Sequence, residues 1–278
     1  MSNLLHNNLV VRTLSGIVFL AVVLGCIFLS PYTFLSLLVI ICIGSMLEFY
    51  KLAGLHGARP LDVWPAMIGC LLILLAFFVK LHKVPGVYFV VLLPMLFLLF
   101  VAELYRKQEN PFGNIAWSVL GIIYIALPMA LLAYMPVQPA MYGYVIYRPL
   151  IVLNIFLLVW ANDVGAYLLG MMLGRHKMIE RISPKKTWEG FAGGILCAAG
   201  VGVLLAHLEH MSIGLWVGAA VVIALTGVAG DLVESMLKRS VGVKDSGRMM
   251  PGHGGFLDRF DALFMAVPFI FTYLIIFA

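Results

Sequence analysis

The sequence predicts an all-α, polytopic integral membrane protein with about nine transmembrane helices and a cytoplasmic N-terminus. Of its 278 residues, 63% are hydrophobic, and the mean hydropathy is +1.06. Charged residues make up only 11%, too few to cover a water-soluble globule. Several apolar stretches approach the roughly 20 residues that a helix needs to cross a bilayer core. A soluble enzyme is therefore excluded.

Charges, prolines and glycines divide the apolar sequence into spans. The uncharged run from Thr13 to Leu47 is too long for one crossing, and Pro31 breaks it near its middle, which predicts the first two helices. The other seven predicted spans are Asp62–Val79, Val84–Ala102, Ile115–Met135, Leu150–Leu169, Phe191–Ala206, Leu215–Ala229 and Ala262–Ala278. The sixth span is unusual because it contains Asn162 and Asp163.

The basic residues predict the orientation in the membrane, because lysine and arginine are retained on the cytoplasmic side. With nine spans, the N-terminal segment and the loops after the even-numbered spans hold 15 of the 18 lysines and arginines. We therefore expect the N-terminus in the cytoplasm and the C-terminus outside. These loops also account for the formal charge of +5, so nucleic acid is not an expected partner.

The two halves of the chain differ in charge. Nine of the 13 acidic residues and ten of the 18 basic residues lie from Asp163 onward. We expect residues 1–149 to form a scaffold and lipid-facing wall. Residues 150–278 are expected to form a catalytic transmembrane region with cytoplasmic loops at 170–190 and 230–261.

The loop after the sixth span suggests a phosphate site. Residues 183–190 read Ser-Pro-Lys-Lys-Thr-Trp-Glu-Gly. A proline-set turn here presents Lys185 and Lys186 beside a hydroxyl, where the start of a helix attracts anions through its N–H groups and dipole. A helix cap at Thr187 and an interfacial anchor at Trp188 explain those two residues without any ligand.

The eighth helix continues past its apolar core with a polar face. Asp231, then Glu234 or Ser235, and Lys238 are spaced i, i+3 or i+4, and i+7, and share that face. An ordinary amphipathic helix end explains this spacing, but it does not explain why Asp231 lies so close to a long uncharged stretch. A carboxylate at that depth usually has a cation as its partner.

Two further aspartates lie where the ninth helix begins. Asp258 and Asp261 are spaced i, i+3 beside Arg259. Either one alone is explained as an N-cap, but two carboxylates on one face at a membrane boundary more often face a metal or a phosphate. The glycines around His253 allow a close approach to a ligand, although they do not form the GxxxxGK[ST] phosphate loop.

Together these residues predict a type of chemistry. Oxygen ligands from Asp231, Asp258 and Asp261 suit Mg²⁺, which binds few carboxylates and completes its shell with phosphates and water. The lysines and arginines complement the remaining phosphate charge. Phosphoryl or nucleotidyl transfer needs little more, because positioning and charge neutralisation supply most of its catalysis.

The C-terminal region resembles a known family. Residues 235–239 read Ser-Met-Leu-Lys-Arg, residues 244–247 Lys-Asp-Ser-Gly, and residues 251–261 Pro-Gly-His-Gly-Gly-Phe-Leu-Asp-Arg-Phe-Asp. This signature segment, residues 235–261, resembles the signature of the phosphatidate cytidylyltransferases, also called CDP-diglyceride synthases. Residues 183–190 resemble a second block of that family, and Asn-Asp at 162–163 with Gly-Ala-Tyr at 165–167 a third. The first 150 residues resemble the family only in being hydrophobic helices.

The resemblance implies that CTP and phosphatidate give CDP-diacylglycerol and pyrophosphate in the cytoplasmic (inner) membrane, at a funnel-shaped cavity that faces the cytoplasm. It implies Mg²⁺ as a required cofactor, often K⁺ as well, and a homodimer. By position, Asp231 and Asp258 would be the metal carboxylates, with Asp261 supporting them. The residues expected to bind substrate are Asp163, Ser183, Lys185, Lys186, Thr187, Ser235, Lys238, Arg239, Lys244, Asp245, His253 and Arg259.

Two other functions fit parts of the sequence. A CTP-dependent kinase of a membrane alcohol, such as a dolichol or phytol kinase, has distantly similar C-terminal segments. A secondary transporter also carries acidic residues and broken helices within the membrane. Transporters usually consist of related halves, however, and this sequence shows no internal repeat.

Overall fold

The computed structural model describes residues 2–140, 144–247 and 254–278, with side chains from residue 13 onward. Its helices are α1 (Ser2–Leu29), α2 (Pro31–Leu55), α3 (Val63–Lys80), α4 (Leu92–Arg106), α5 (Pro111–Gly121), α6 (Leu127–Tyr134), α7 (Pro149–Leu173), α8 (Trp188–Leu208), α9 (Ile213–Ser240) and α10 (Leu257–Phe277). A 3₁₀ segment, Gly86–Val91, leads into α4, and a π-helical segment, Ile122–Ala126, joins α5 to α6.

The apolar helices confirm the predicted fold class. In the described part of the chain, eight helical segments are long and apolar enough to cross a membrane, and Thr13–Leu29 is a shorter apolar helix that precedes them. These nine segments match the predicted spans in order. The cytoplasmic position of the N-terminus stays a prediction.

The predicted break between the first two spans has a local cause. Ser30 adopts an extended conformation, and its side chain accepts a hydrogen bond from the Tyr32 N–H at 3.2 Å. Pro31 follows at the first helical position, where its missing N–H has no cost. α1 therefore ends at Leu29, and α2 begins at Pro31.

Two features of the fold differ from the expected uninterrupted helices. The π-helical segment interrupts the fifth span directly before Pro128, which cannot donate the i to i−4 hydrogen bond of a regular helix. Two short antiparallel strands, β1 (Val137–Pro139) and β2 (Val145–Tyr147), lie between α6 and α7, with Val137 opposite Tyr147. Strands of three residues carry too little periodicity to be predicted from the sequence.

The chain forms two compact units. The first unit comprises Met1–Pro149 and Ser240–Phe260, and the second comprises Leu150–Arg239 and Asp261–Ala278. Much of the signature segment, from Ser240 to Phe260, therefore belongs to the first unit. Asp163, Asp231 and Asp261 all belong to the second.

Small residues set the helix packing of the second unit. A Cβ atom on Gly165 of α7 would collide with the Cβ of Cys197 and would lie 2.7 Å from the carbonyl oxygen of Gly193 in α8. A Cβ on Gly230 of α9 would lie 2.6 Å from the carbonyl oxygen of Asp261 in α10. Such close approach is typical of membrane helices that pack through small residues. It brings the backbones that carry Asp163, Asp231 and Asp261 into contact with neighbouring helices.

We predict that Gly165→Ala destabilises the protein, because the added methyl group meets backbone and Cβ atoms that cannot rotate away. Overpacking of this kind costs about 1–3 kcal/mol. Gly200→Ala in α8 is the matched control, since a Cβ there meets no atom within 4 Å. Thermal unfolding in detergent should show a lower Tm for Gly165→Ala only. Equal Tm values for the two variants would contradict the packing described here.

Candidate active site

A cavity of about 310 Å³ lies in the second unit, where α7, α8, α9 and the loop before α8 meet. Five residues that the sequence predicts for the site line it: Asp163, Lys185, Lys186, Thr187 and Asp231. The other lining residues are Asn162, Ala166, Tyr167, Met178, Gly190, Phe191, Gly227 and Val228. The cavity thus combines apolar walls with two acidic and two basic side chains.

The loop before α8 is folded back on itself so that both lysines face the cavity. The Met178 N–H donates to the Lys186 carbonyl at 3.0 Å. The Lys186 N–H donates to the Ser183 carbonyl at 3.2 Å, which closes a turn with Pro184 inside it. Ser183 therefore shapes the turn and does not line the cavity itself.

Thr187 begins α8 as its N-cap. Its side-chain oxygen accepts a hydrogen bond from the Gly190 N–H at 3.2 Å. The cap interpretation of this residue is therefore confirmed, and the cap lies at the cavity wall. Contact between Thr187 and a substrate phosphate stays a prediction.

An ion pair joins the loop to α9. The Lys186 Nζ lies 2.6 Å from Asp231 Oδ2, and the Ser235 hydroxyl donates to Asp231 Oδ1 at 3.2 Å. The side chains of Lys186 and Asp231 are 23% and 42% exposed, so both remain accessible from the cavity. Lys186 thus supplies the cation that an aspartate at this depth requires.

Two further carboxylates of the second unit lie within electrostatic range of this pair. The carboxylates of Asp163 and Asp261 are repelled by that of Asp231 and by each other. Lys186 attracts the Asp163 carboxylate, and Lys238 attracts the Asp261 carboxylate. One Asp261 oxygen accepts the Ala262 N–H at 2.8 Å. Three carboxylates in mutual range favour the binding of an additional cation.

Lys238 is already engaged by a neighbour on its own helix. Its Nζ lies 2.5 Å from Glu234 Oε2, and the Glu234 side chain is fully buried. The pair is spaced i, i+4 along α9. Arg239, the next residue, is exposed.

Four more of the predicted site residues lie in the described part of the first unit. Asp258 accepts the N–H groups of Ser246 and Gly255, both at 3.0 Å to Oδ2. Lys244, Asp245 and Arg259 are exposed. His253 lies outside the described residues.

Comparison with known proteins identifies the family. Residues 10–277 match the model of the cytidylyltransferase family. This chain belongs to the cytidylyltransferase family. A protein of Staphylococcus aureus (strain COL) named phosphatidate cytidylyltransferase is 32% identical over 273 residues, which cover 94% of this chain and 96% of the relative. A protein of the same name from Staphylococcus haemolyticus is 36% identical over 181 residues, 64% of this chain and 66% of the relative.

The resemblance found in the signature segment is thereby confirmed, and it extends through the N-terminal helices. The protein is a membrane-embedded nucleotidyltransferase of the cytidylyltransferase family. The cavity, with its two aspartates and two lysines, belongs to the second unit and lies within the matched residues.

The cavity of this cytidylyltransferase suits Mg²⁺. Among the described residues, no three histidine, cysteine or acidic side chains are gathered closely enough to hold a metal by themselves. Mg²⁺ does not need such a cage, because it is usually bound through one or two carboxylates, water and substrate phosphates. Asp231 and Asp163, lining one cavity, match the carboxylate part of that donor set.

Two acidic residues escaped the sequence prediction. Glu189, in the first turn of α8, accepts the N–H groups of Arg175 and His176 at 3.1 and 3.2 Å and also contacts the His176 ring. It holds the start of the loop that carries both lysines. Glu48, in α2, is buried and bonded to residues of the signature segment. The sequence feature that could have pointed to Glu48 is its position directly after the uncharged run that ends at Leu47.

Proposed function

We propose that this cytidylyltransferase transfers CMP from CTP to phosphatidate, giving CDP-diacylglycerol and pyrophosphate. The observation that carries the proposal is the cavity in which Lys185 and Lys186 face Asp163 and Asp231. Relatives that align with almost the whole chain are named phosphatidate cytidylyltransferase, which supports this choice of substrates. The proposal includes the inner membrane as location, with the cavity open to the cytoplasm.

The main barrier to this reaction is electrostatic repulsion. The phosphate of phosphatidate is already a competent nucleophile near neutral pH, so the enzyme does not need to create one. Two polyanions must instead approach until a phosphatidate oxygen lies in line with the α-phosphorus of CTP. That oxygen then bonds to the α-phosphorus as the bond to the bridging oxygen breaks, and pyrophosphate leaves with the electron pair.

The basic side chains of the cavity reduce this repulsion by neutralising phosphate charge. Lys185 and Lys186 extend from a turn fixed by the hydrogen bonds of Ser183 and Met178, so little backbone freedom remains to be lost on binding. They lie at the N-terminal end of α8, whose dipole also favours phosphate. We assign them to the phosphates of CTP.

The acidic side chains are assigned to Mg²⁺, with Asp231 and Asp163 in the cavity and Asp261 beside them. Bound Mg²⁺ would supply charge neutralisation at the phosphate oxygens during transfer. Lys186 holds the Asp231 carboxylate in place through their ion pair. That Asp258 shares this ion, that K⁺ participates and that the protein acts as a homodimer are further parts of the proposal.

The position of the site within membrane helices suits a lipid substrate. Asp163, Asp231 and Asp261 lie on α7, α9 and α10, each of which is long and apolar enough to span a bilayer. A phosphatidate headgroup can therefore reach the acids while its acyl chains stay in the bilayer. CTP would arrive from the aqueous side, where the lysine-bearing loop lies.

We predict that label from [α-³²P]CTP enters the lipid fraction when purified protein is supplied with phosphatidate and Mg²⁺. Label from [γ-³²P]CTP should be released as pyrophosphate. A lipid kinase would place the γ label in lipid and leave the α label in the nucleotide. A transporter would place neither label in lipid, and either of these patterns would overturn the proposed function.

We predict that Lys186→Ala raises the KM for CTP by about tenfold or more, because a charge-assisted contact contributes roughly 1.5–3 kcal/mol. Lys185→Ala should shift KM in the same direction. Arg181→Ala is the matched control, since Arg181 is an exposed cation of the same loop that does not line the cavity. An unchanged KM in both lysine variants would contradict their assignment to the phosphates of CTP.

A further inference from the structure

Glu48 is a buried carboxylate in a helix that sequence reasoning treated as scaffold. It lies in α2 and is 1% exposed. Its Oε2 accepts the Ser246 hydroxyl at 3.1 Å and the Leu257 N–H at 2.9 Å. Both donors belong to the signature segment and to the same compact unit as Glu48.

The signature segment is shaped to fit this carboxylate. A Cβ atom on Gly255 or on Gly247 would collide with the Glu48 oxygens. The two glycines therefore leave the space that the carboxylate occupies. This gives a steric reason for glycine at these two positions of the segment.

A second contact holds the signature segment against α2, one helical turn before Glu48. The Phe256 ring packs on Gly44, where an added Cβ would lie 2.6 Å from Phe256 Cδ2. Gly44 and Glu48 are spaced i, i+4 and share one face of α2. That face thus holds residue 256 by packing and residue 257 by a hydrogen bond.

Glu48 and Asp258 hold the same part of the segment from two directions. The Ser246 hydroxyl donates to Glu48, whereas the Ser246 N–H donates to Asp258. The Gly255 N–H donates to Asp258, and the Leu257 N–H donates to Glu48. The position of the Asp258 carboxylate therefore depends on backbone groups that Glu48 keeps in place.

We infer that Glu48 is a positioning residue for the reaction: it holds Ser246 and Leu257 so that Asp258 is presented in one fixed orientation. This inference rests on the proposed function for its kinetic consequence. Its structural consequence, the ordering of residues 244–247 and 254–257, does not depend on any reaction. Outer residues that orient a ligand of a metal typically change metal affinity or activity by 10–100-fold when removed.

The test compares Glu48→Ala, Glu48→Gln and Ser246→Ala with Glu103→Ala. Glu103 is a matched control, because it is also buried in the first unit but is bonded to Asn114 and Arg106. Ser246→Ala removes the hydroxyl bond to Glu48 and keeps the N–H that donates to Asp258. Glu48→Gln keeps the shape and one acceptor, so it replaces Glu48→Ala if the latter does not fold.

The first measurement is hydrogen–deuterium exchange at the backbone amides of Ser246, Gly255 and Leu257, without CTP or added metal. We expect faster exchange in Glu48→Ala, a smaller increase in Glu48→Gln and in Ser246→Ala, and no change in Glu103→Ala. Exchange in the folded Glu48 variants that equals the wild-type rate would overturn the inference, whatever reaction the enzyme catalyses.

The second measurement is the kinetics of CMP transfer. Glu48→Ala should lower kcat by about tenfold or more and raise the Mg²⁺ concentration for half-maximal activity, as Asp258→Asn should, while the KM for CTP changes little. A rise in KM alone would contradict a positioning role. Absence of CMP transfer in the wild type would instead reject the proposed function and leave the exchange result to decide on Glu48.

Discussion

The structure depends on one constraint: a carboxylate placed inside an apolar helix must be matched by a cation or by hydrogen-bond donors. Leaving such a group unmatched in a medium of low dielectric constant costs several kcal/mol. Asp231 meets the constraint through the Lys186 ion pair. The Oε2 atom of Glu48 meets it through a hydroxyl and a backbone N–H. These two solutions bring loops from distant parts of the sequence onto the helices.

The two solutions have different chemical consequences. The Asp231–Lys186 pair is accessible from a cavity, so its charges remain available to a phosphate and a metal ion. The Glu48 carboxylate is enclosed, so it acts on the segment that surrounds it. An accessible ion pair suits catalysis, whereas an enclosed carboxylate suits the positioning of other groups. A small loop that carries catalytic residues gains precision from such support.

The sequence was sufficient to predict the spans, because bilayer thickness forces each helix to show a long apolar run. It also predicted that Asp231 requires a cation, since its depth along the helix was visible. The identity of that cation was not predictable, because the turn of Ser183 and the hydrogen bonds of Met178 decide where Lys186 points. The resemblance in the signature segment pointed to the family, which the comparison over the whole chain confirmed.

Other features could not be predicted for physical reasons. Glu48 was assigned to a scaffold because its partners, Ser246 and Leu257, are about 200 positions away in the sequence. The π-helical segment before Pro128 leaves no periodic signal, since the helix resumes directly after it. The division of the C-terminal region between two compact units depends on tertiary contacts and not on local hydropathy.

We propose that carboxylates at this cavity hold a divalent cation together with the phosphates of CTP. The most direct measurement is electron paramagnetic resonance of Mn²⁺, a spectroscopic substitute for Mg²⁺, bound to the purified protein with CTP. After removal of unbound Mn²⁺–CTP, the wild type should show bound Mn²⁺ with coupling to phosphorus. Asp231→Asn should lose both signals while remaining folded. A bound-Mn²⁺ spectrum in Asp231→Asn identical to that of the wild type would contradict the claim.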